Sequence, residues 1–359
     1  MKKIFAFVLL LSSLKDFAQN DTLNNDEAPK TKLEGYTEAY YCYDFNKPAD
    51  NLRPGFIYNH ARHNEVNVNH AIIRASYTSS KVRVNMAIMT GNYAQYNLAS
   101  EPVLLRHIYE SHVGFKIKKN IWFDAGIFAS HIGFESAISK DCWTLTRSIV
   151  AENSPYYESG AKFSWTPNSK WLFSALYLNG WQHIQRPSGN NTPAGGTQIT
   201  YKPNDKMTFN YSTFFGNDKP DSVRQFRHYH NFYGIMQFTK KFGMIAGFDL
   251  GMEQSKKGSS TYNTWYTPVV MLRYYFTEKF GLAARAEYYE DKKGVIIASG
   301  ATNGFNTKGY SINMDYYPTH DVLFRIEGKL YDSKDRYFLK GKNLSTQNFC
   351  LTSSIAILF

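Results

Sequence analysis

Stretches of strict alternation between apolar and polar residues recur along the whole chain. In 33–43 the odd positions are apolar or small, whereas the even positions carry all the charge. The stretches 82–90, 107–117, 244–250, 280–289 and 322–330 repeat this pattern, and each keeps its Asp, Glu, Lys and Arg residues on one parity. Because successive side chains of a strand point to opposite faces, the pattern predicts strands with one apolar and one polar face.

Two kinds of connection alternate between these stretches. The short ones, rich in turn-forming residues, are 79–81, 118–120, 167–169, 203–205, 240–241, 278–279 and 318–321. The long and irregular ones are 44–64, 92–106, 131–155, 182–196, 216–227, 254–263, 290–306 and 332–346. Short turns at one end and long loops at the other are typical of membrane barrels. We therefore predict an all-β fold, a transmembrane antiparallel up-and-down barrel of about 16 strands, within a range of roughly 14–18.

The two ends of the chain indicate export. A basic start, an apolar run at 4–11 and small residues up to Ala18 predict a secretory signal peptide over 1–18. The polar segment 19–32 is expected to be a flexible periplasmic lead-in, followed by the barrel over 33–359. The last strand alternates and ends in Phe359, which resembles the sorting signal of bacterial outer-membrane proteins. We expect the outer membrane as the location and its lipid as a partner.

Composition agrees with this interpretation and argues against other classes of protein. Mean hydropathy is −0.44 although 16% of residues are aromatic, which suits strands that contact lipid on one side and water on the other. The net charge is +11, but the basic residues are scattered singly, so nucleic acid is not an expected partner. Three cysteines lie far apart and form no Cys-x-x-Cys pair, so we expect neither a metal nor another cofactor.

Several segments are similar to the OmpL-like β-barrel porins of Gram-negative bacteria. They are 33–41 (LEGYTEAYY), 62–69 (RHNEVNVN), 125–135 (AGIFASHIGFE), 151–157 (AENSPYY), 178–181 (LNGW) and 285–291 (RAEYYED). The resemblance runs over most of the chain after residue 18 and implies a channel, without naming its solute. We therefore expect an outer-membrane porin for passive diffusion of small hydrophilic solutes, and no enzyme. A homo-oligomer is left open.

The parity of each strand assigns side chains to the lumen or to lipid. The predicted pore-lining residues are Glu34, Glu38, Arg74, Arg83, Lys116, Asp124, Arg273, Arg285, Glu287, Arg325 and Glu327. The predicted lipid-facing residues are Val84, Met86, Ile88, Phe115, Phe248, Leu282, Ile326, Leu351 and Ile355. Inward acids and bases nearly cancel, which predicts weak ion selectivity. On this assignment Phe248→Arg should impair assembly, whereas Arg285→Ala should not.

Loop 131–155 is expected to fold into the lumen as a constriction. It carries several large apolar residues that an outward, solvated loop would leave exposed. The charges predicted at the narrow point, facing Arg285 or Arg325, are Glu135, Lys140, Asp141, Arg147 and Glu152. The alternative is a loop that packs on neighbouring loops or on another subunit.

Cys42 and Cys350 are predicted to face the lumen on neighbouring strands. Both lie on the polar parity, and the first and last strands must pair because an open edge in lipid leaves backbone groups unsatisfied. Whether the two thiols form a disulfide is left open.

Other functions were weighed against this one. The pairs His60/His63 and His228/His230 could hold a metal with a third ligand, but solvated histidines at loop or strand ends are favoured. Trp181 could stack on a sugar, although an aromatic-girdle residue is favoured. A barrel acting as a surface receptor or adhesin without a conducting pore is the main alternative. An outer-membrane phospholipase comes third, because no Ser–His set is evident.

Overall fold

The computed structural model describes residues 28–359. The predicted signal peptide and most of the predicted lead-in lie outside the described residues. The first strand begins at Lys30, three residues before the predicted start at 33.

A closed antiparallel barrel of sixteen strands accounts for most of the described chain. Its strands are β1 (Lys30–Asp44), β2 (Val66–Thr78), β3 (Val82–Thr90), β4 (Ile108–Lys118), β5 (Ile121–Ala129), β6 (Tyr157–Asn168), β7 (Trp171–Leu178), β8 (Ala194–Asn204), β9 (Met207–Gly216), β10 (Arg227–Gln237), β11 (Phe242–Gln254), β12 (Tyr262–Tyr275), β13 (Phe280–Asp291), β14 (Phe305–Tyr316), β15 (Val322–Ser333) and β18 (Gln347–Leu358). A separate two-stranded hairpin, β16 (Phe338–Lys340) and β17 (Asn343–Ser345), lies in the last loop.

Each strand of the barrel pairs with the next barrel strand along the chain, so that β15 pairs with β18, and β1 pairs with β18 to close the barrel. Closure gives every strand two neighbours, which satisfies the backbone N–H and C=O groups that lipid cannot. The predicted fold class and strand number are confirmed. All seven short turns and all eight long loops fall where the alternation predicted them, to within a few residues.

The predicted facing of the side chains also agrees with the structure in most strands. Met86, Ile88, Phe115 and Phe248 are exposed on the outer surface, where lipid would cover them. A β-bulge in the pairing of β3 with β4 shifts the register between Ala87 and Ile88. One extra residue reverses the facing beyond it, so Tyr109 packs inward against His70 instead of pointing to lipid.

The loops at one end of the barrel contain little regular structure. Two short helices are α1 (Asn92–Asn97) and α2 (Ile149–Glu152), and the N-cap Ser148 of α2 accepts a hydrogen bond from the Ala151 N–H. Three-residue 3₁₀ turns occur at Leu105–His107, Ser139–Asp141 and Asp221–Val223. No helix within residues 28–359 has the length and apolarity needed to cross a membrane.

Candidate functional site

The inner wall carries a dense charge network on β13, β14 and β15. Arg285 lies 2.9 Å from Glu327 and 3.5 Å from Glu287, and all three side chains are fully buried. Lys329 lies 3.0 Å from Glu287, and Arg325 lies 2.7 Å from Asp315. The alternation of each strand brings these charges to one face, and buried charges of this kind need partners.

Loop 131–155 lies inside the barrel and binds this network with its backbone. The N–H of Leu145 donates to the side chain of Asn313 at 3.0 Å, and the N–H groups of Thr146 and Ile149 donate to Glu327 and Glu287, each at 2.5 Å. A loop in a lumen has no sheet partner, so its backbone groups must find side chains. The inward charges of the wall supply them.

Arginine side chains of the wall bind the carbonyl groups of the same loop. Arg325 donates to the carbonyl oxygens of Ser139 and Cys142, and Arg285 donates to the carbonyl oxygen of Thr146 and to the hydroxyl groups of Thr144 and Thr146. Each planar guanidinium offers five N–H donors, so one arginine binds the loop and a wall carboxylate together. The loop is fixed against β13–β15 by both its donors and its acceptors.

The loop reaches the short-turn end of the barrel. Trp143 packs on Arg273 of β12, with the guanidinium carbon 4.2 Å from a ring centroid. The Lys140 ammonium donates to the carbonyl of His320 at 3.4 Å, and His320 lies in the short turn between β14 and β15. The loop therefore crosses the lumen from one end to the other, further than a constriction at one level requires.

The five charges predicted at the narrow point occupy three different levels. Glu135 lies 3.6 Å from Arg285, and Arg147 donates to loop carbonyls, so these two belong to the mid-barrel network. Lys140 lies at the short-turn end, as does Asp141 beside it. Glu152 accepts the N–H of Tyr58 at 2.9 Å near the loop end. The expectation that they share one level was wrong, because the loop runs along the barrel axis.

The opposite part of the wall, on β2–β6, is less covered. The side chains of Arg74 and Arg83 are 28% and 32% exposed, and Lys116 is exposed, whereas Glu38, Arg285 and Arg325 are buried. We call six residues here the open wall: Arg74, Arg83, Glu110, Lys116, Asp124 and Lys162.

Two ion pairs organise the open wall. Arg83 donates to Asp124 at 2.6 Å, and Arg74 lies 3.8 Å from Glu110. Arg83 and Lys116 both lie over the Trp122 ring, at 4.4 and 5.3 Å from a ring centroid. Four basic groups face two carboxylates, so the open wall has an excess of two positive charges.

The sequence model of one protein family matches residues 30–359, and its description is "Putative beta-barrel porin-2, OmpL-like". The chain belongs to this OmpL-like porin family. The match covers the whole barrel, which confirms the resemblance found in the sequence. No curated protein sequence matches the chain.

Solved outer-membrane proteins share the fold of the porin at low sequence identity. The anion-selective porin from Comamonas acidovorans is 8% identical, with a TM-score of 0.61 over 92% of this chain and 100% of that one. OmpT of Vibrio cholerae in its trimer form is 11% identical, with a TM-score of 0.60 over 93% and 100%. The channel DcaP of Acinetobacter baumannii is 12% identical, with a TM-score of 0.58 over 92% and 97%. Family and fold place the porin in the bacterial outer membrane.

Several histidines differ from the sequence expectation. His60 and His63 are buried, not solvated: His60 lies 3.3 Å from Glu38, and His63 accepts the N–H of Asp44. His228 and His230 share the outer face of β10 and pack on aromatic rings. In the described part of the chain, no three His, Cys, Asp or Glu side chains are grouped to hold a metal ion.

Cys42 and Cys350 lie on paired strands and point into the barrel. Their register partners are Thr352 and Asp44, so the two cysteines are diagonal neighbours on one face. Both are free thiols, and Arg53 of the first loop donates to Cys350 Sγ at 2.9 Å. The predicted inward facing on neighbouring strands is confirmed.

Glu34 and Glu38 occupy different surroundings on β1. Glu34 is paired with Lys32 at 2.6 Å near the short-turn end. Glu38 is fully buried and accepts a hydrogen bond from Ser139 of loop 131–155 at 2.5 Å. The sequence predicts that both residues lie on the polar face of the strand. Only the structure shows that Glu34 lies near the short-turn end of the barrel, whereas Glu38 holds loop 131–155.

A cleft at the loop end of the barrel was missed by sequence reasoning. We call it the loop-end cleft and define it by Tyr58, Asn97, Glu152, Trp181, His183 and Asp218, which line a cavity of about 380 Å³. These residues come from five different loops, and no motif links them in the sequence. The one indication in the sequence was Trp181, at the end of the Asn-Gly-Trp run, which was considered as a residue that could stack on a sugar.

Glu101 holds two of the loops around this cleft together. It accepts the N–H groups of Ile184 and Gln185 at 2.8 and 3.3 Å, and His183 lies 3.7 Å away. Burial by itself raises the pKa of Glu101, but the hydrogen bonds from His183, Ile184 and Gln185 together lower it below its ordinary value. A lowered pKa means that the Glu101 carboxylate stays charged, and accepts these hydrogen bonds, down to a lower pH than an ordinary glutamate.

Proposed function

We propose that the protein is a porin that lets small hydrophilic solutes diffuse passively across the outer membrane. The observation that carries the proposal is a closed sixteen-stranded barrel with a charged and polar inner wall. A barrel of this size encloses an aqueous lumen unless segments fill it. The proposed activity is diffusion alone and includes no chemical step.

The path runs between loop 131–155 and the open wall. The loop covers the inner faces of β13–β15 and β1, whose charged side chains are buried beneath it. Arg74, Arg83 and Lys116 on the other side keep part of their surface exposed. The pore-lining role belongs, in this proposal, to the predicted residues on β2–β5, whereas Arg285, Glu287, Arg325 and Glu327 anchor the loop.

This asymmetry changes the expected ion selectivity. Counting the whole wall predicts near neutrality, but the charges beneath the loop, among them the acids Glu38, Glu287 and Glu327 and the bases Arg285, Arg325 and Lys329, nearly cancel and are covered. The charges left along the path have an excess of two positives, and pore-lining charge sets the local potential. We therefore propose a modest preference for anions in place of weak selectivity. The Comamonas acidovorans protein with this fold is an anion-selective porin.

Reversal potentials in a planar bilayer test the proposal. The purified porin should conduct KCl. In a KCl gradient, the sign of the reversal potential should show that chloride permeates more readily than potassium. The double variant Arg74→Gln/Lys116→Gln removes two positive charges from the path and should move the potential towards zero. Lys334→Gln/Lys342→Gln makes the same charge change on exposed loop residues and should leave it unchanged.

A receptor or adhesin without a conducting pore remains the second candidate. The depth to which loop 131–155 fills the lumen favours it, because the loop reaches the short-turn end. Absence of single-channel steps from correctly folded protein would support the receptor and overturn the porin proposal.

We further propose that the porin is a homo-oligomer. OmpT of Vibrio cholerae, which shares the fold, has been solved in a trimer form. On the outer surface of this chain, small residues such as Ala39 and Ser353 form a groove bordered by Tyr41 and Phe324. Native mass spectrometry from detergent should show more than one copy, and Ser353→Trp should reduce the assembly to a monomer. A monomeric wild-type protein would contradict this.

A further inference from the structure

The loop-end cleft has the size of a small-molecule site and lies among the long loops. Its volume of about 380 Å³ falls in the range of ligand pockets, roughly 300–1,000 Å³. Its lining residues come from the long loops and the adjoining start of β10, which is the end opposite the short turns. The cleft is therefore at the end from which a solute would enter past the long loops.

Asn97 offers an unused amide to the cleft. It is 8% exposed, and neither its Nδ2 nor its Oδ1 has a hydrogen-bond partner. Its position is fixed, because Tyr93 and Ala94 of α1 and the following Leu98 are buried. Buried polar groups are normally paired, so a donor and an acceptor without protein partners point to a ligand that carries both.

Trp181 lines the same cleft from inside the barrel. Its ring makes edge contacts with Phe214 and Tyr229, at centroid distances of 5.0 and 4.7 Å. Its backbone N–H donates to Asp218 at 2.9 Å. The interpretation as a girdle residue was wrong, because Trp181 packs on inward side chains and not on the outer belt. An indole held in this way offers a rigid apolar surface.

The charged groups of the cleft already have partners within the protein. Glu152 accepts the N–H of Tyr58 and of Asn59, at 2.9 and 3.2 Å. Asp218 lies 2.6 Å from Arg227, which also lies 2.7 Å from Glu253. A charged ligand would have to compete with these pairs, whereas a neutral one would not. The cleft therefore favours a neutral ligand.

The cleft is pre-formed, with the backbone held in an unusual conformation. Gln182 has φ of 58°, a left-handed conformation that non-glycine residues rarely adopt. Its side chain accepts the N–H of Tyr156 at 2.7 Å, and Glu101 holds the following residues. Such conformations concentrate at functional sites. Pre-organisation lowers the entropic cost of binding.

We propose that the loop-end cleft binds a neutral saccharide of one or two rings before it enters the path. The ring C–H surface would lie on Trp181, and hydroxyl groups, which both donate and accept, would bind the free amide of Asn97. This inference names the solute class of the channel and so rests on the proposed function.

Current blockage by a disaccharide tests the proposal in planar bilayers. Maltose added on the loop side should interrupt the KCl current of the wild-type porin in a saturable, concentration-dependent way. Sorbitol, a polyol without a ring surface, should do so far less. Steady conductance without blockage by maltose would overturn the saccharide proposal and leave the porin proposal intact.

Two variants and one control locate the binding. Asn97→Ala should weaken maltose binding by roughly tenfold, since it removes both unused groups. Trp181→Leu should also weaken it, whereas Asn343→Ala, an exposed residue of β17, should not. Equal binding by Asn97→Ala and wild type would overturn the assignment to this cleft.

Tryptophan fluorescence separates this inference from the proposed function. If the folded protein does not conduct, the porin proposal fails, and maltose can then be titrated against the protein in detergent. A saturable fluorescence change that is lost in Trp181→Leu supports the cleft as a saccharide site on a non-conducting barrel. No change in wild type overturns the inference as well.

Discussion

At the scale of single residues, Arg285 lies at the centre of the contacts between wall and loop. It faces three carboxylates, of Glu135, Glu287 and Glu327, at 3.6, 3.5 and 2.9 Å. The sequence assigned it to a water-filled wall, where removal would be harmless. The structure buries it completely among carboxylates, so we replace the expectation that Arg285→Ala is neutral by the prediction that it is destabilising.

We predict that Arg285→Ala destabilises the folded porin by about 3–5 kcal/mol, because it leaves buried carboxylates without their main counter-charge. Denaturant unfolding in micelles measures this. Arg336→Ala, which removes an exposed arginine from the last loop, should change the unfolding free energy by less than about 0.5 kcal/mol. Equal effects of the two variants would mean that the charge network around Arg285 contributes nothing to the free energy of unfolding.

Lipid-facing positions give a second residue-scale prediction. Phe248 lies in the middle of β11 and is exposed on the outer surface, so Phe248→Arg should cost about 2–4 kcal/mol in a bilayer. Ser164→Arg places the same side chain on the inner face of β6 and should assemble normally. Folding yield into lipid vesicles measures both, and a poorly folding Ser164→Arg beside a normal Phe248→Arg would mean an inverted facing.

At the scale of elements, the strands follow from the sequence and the loops do not. Alternation predicts a strand because facing has a period of two residues, and it places charges such as Glu287 and Arg325 on one side. It fails at Tyr109, where a bulge adds one residue without any sequence signal. The loops have no period, so sequence could suggest only from its apolar content that 131–155 turns inward.

Loop 131–155 is the element that should control flow. We predict that deleting 137–148 raises single-channel conductance, because it removes the segment that crosses the lumen beside Arg325 and reaches the turn at His320. The hydrogen bonds between barrel strands do not depend on the loop, so the variant should still fold. A deletion within 255–261, an exposed loop outside the lumen, serves as control.

Unchanged conductance in the 137–148 deletion variant would contradict the proposed path. It would mean that the limiting section lies elsewhere, for example among the loops above the loop-end cleft.

At the scale of the whole molecule, selectivity depends on which part of the wall is left open. We predict that the anion preference in reversal-potential measurements decreases from about 0.1 M to about 1 M salt. The Debye length falls from about 10 Å to about 3 Å over that range, so charges such as Arg74 and Arg83 act over shorter distances. A preference independent of salt would indicate selection by size and not by charge.

The sequence by itself determined the barrel, its strand number, its orientation of loops and turns, and the facing of most side chains. These properties depend on the local period of two residues and on the general requirement that lipid-exposed backbone be paired, and neither needs knowledge of contacts between distant residues. Tertiary structure decided what fills the lumen. Thr146 and Glu327 are 181 residues apart, and Lys140 and His320 are 180 apart. Contacts between such distant residues follow no period, so the anchored loop, the open wall and the loop-end cleft became apparent only when the chain had folded.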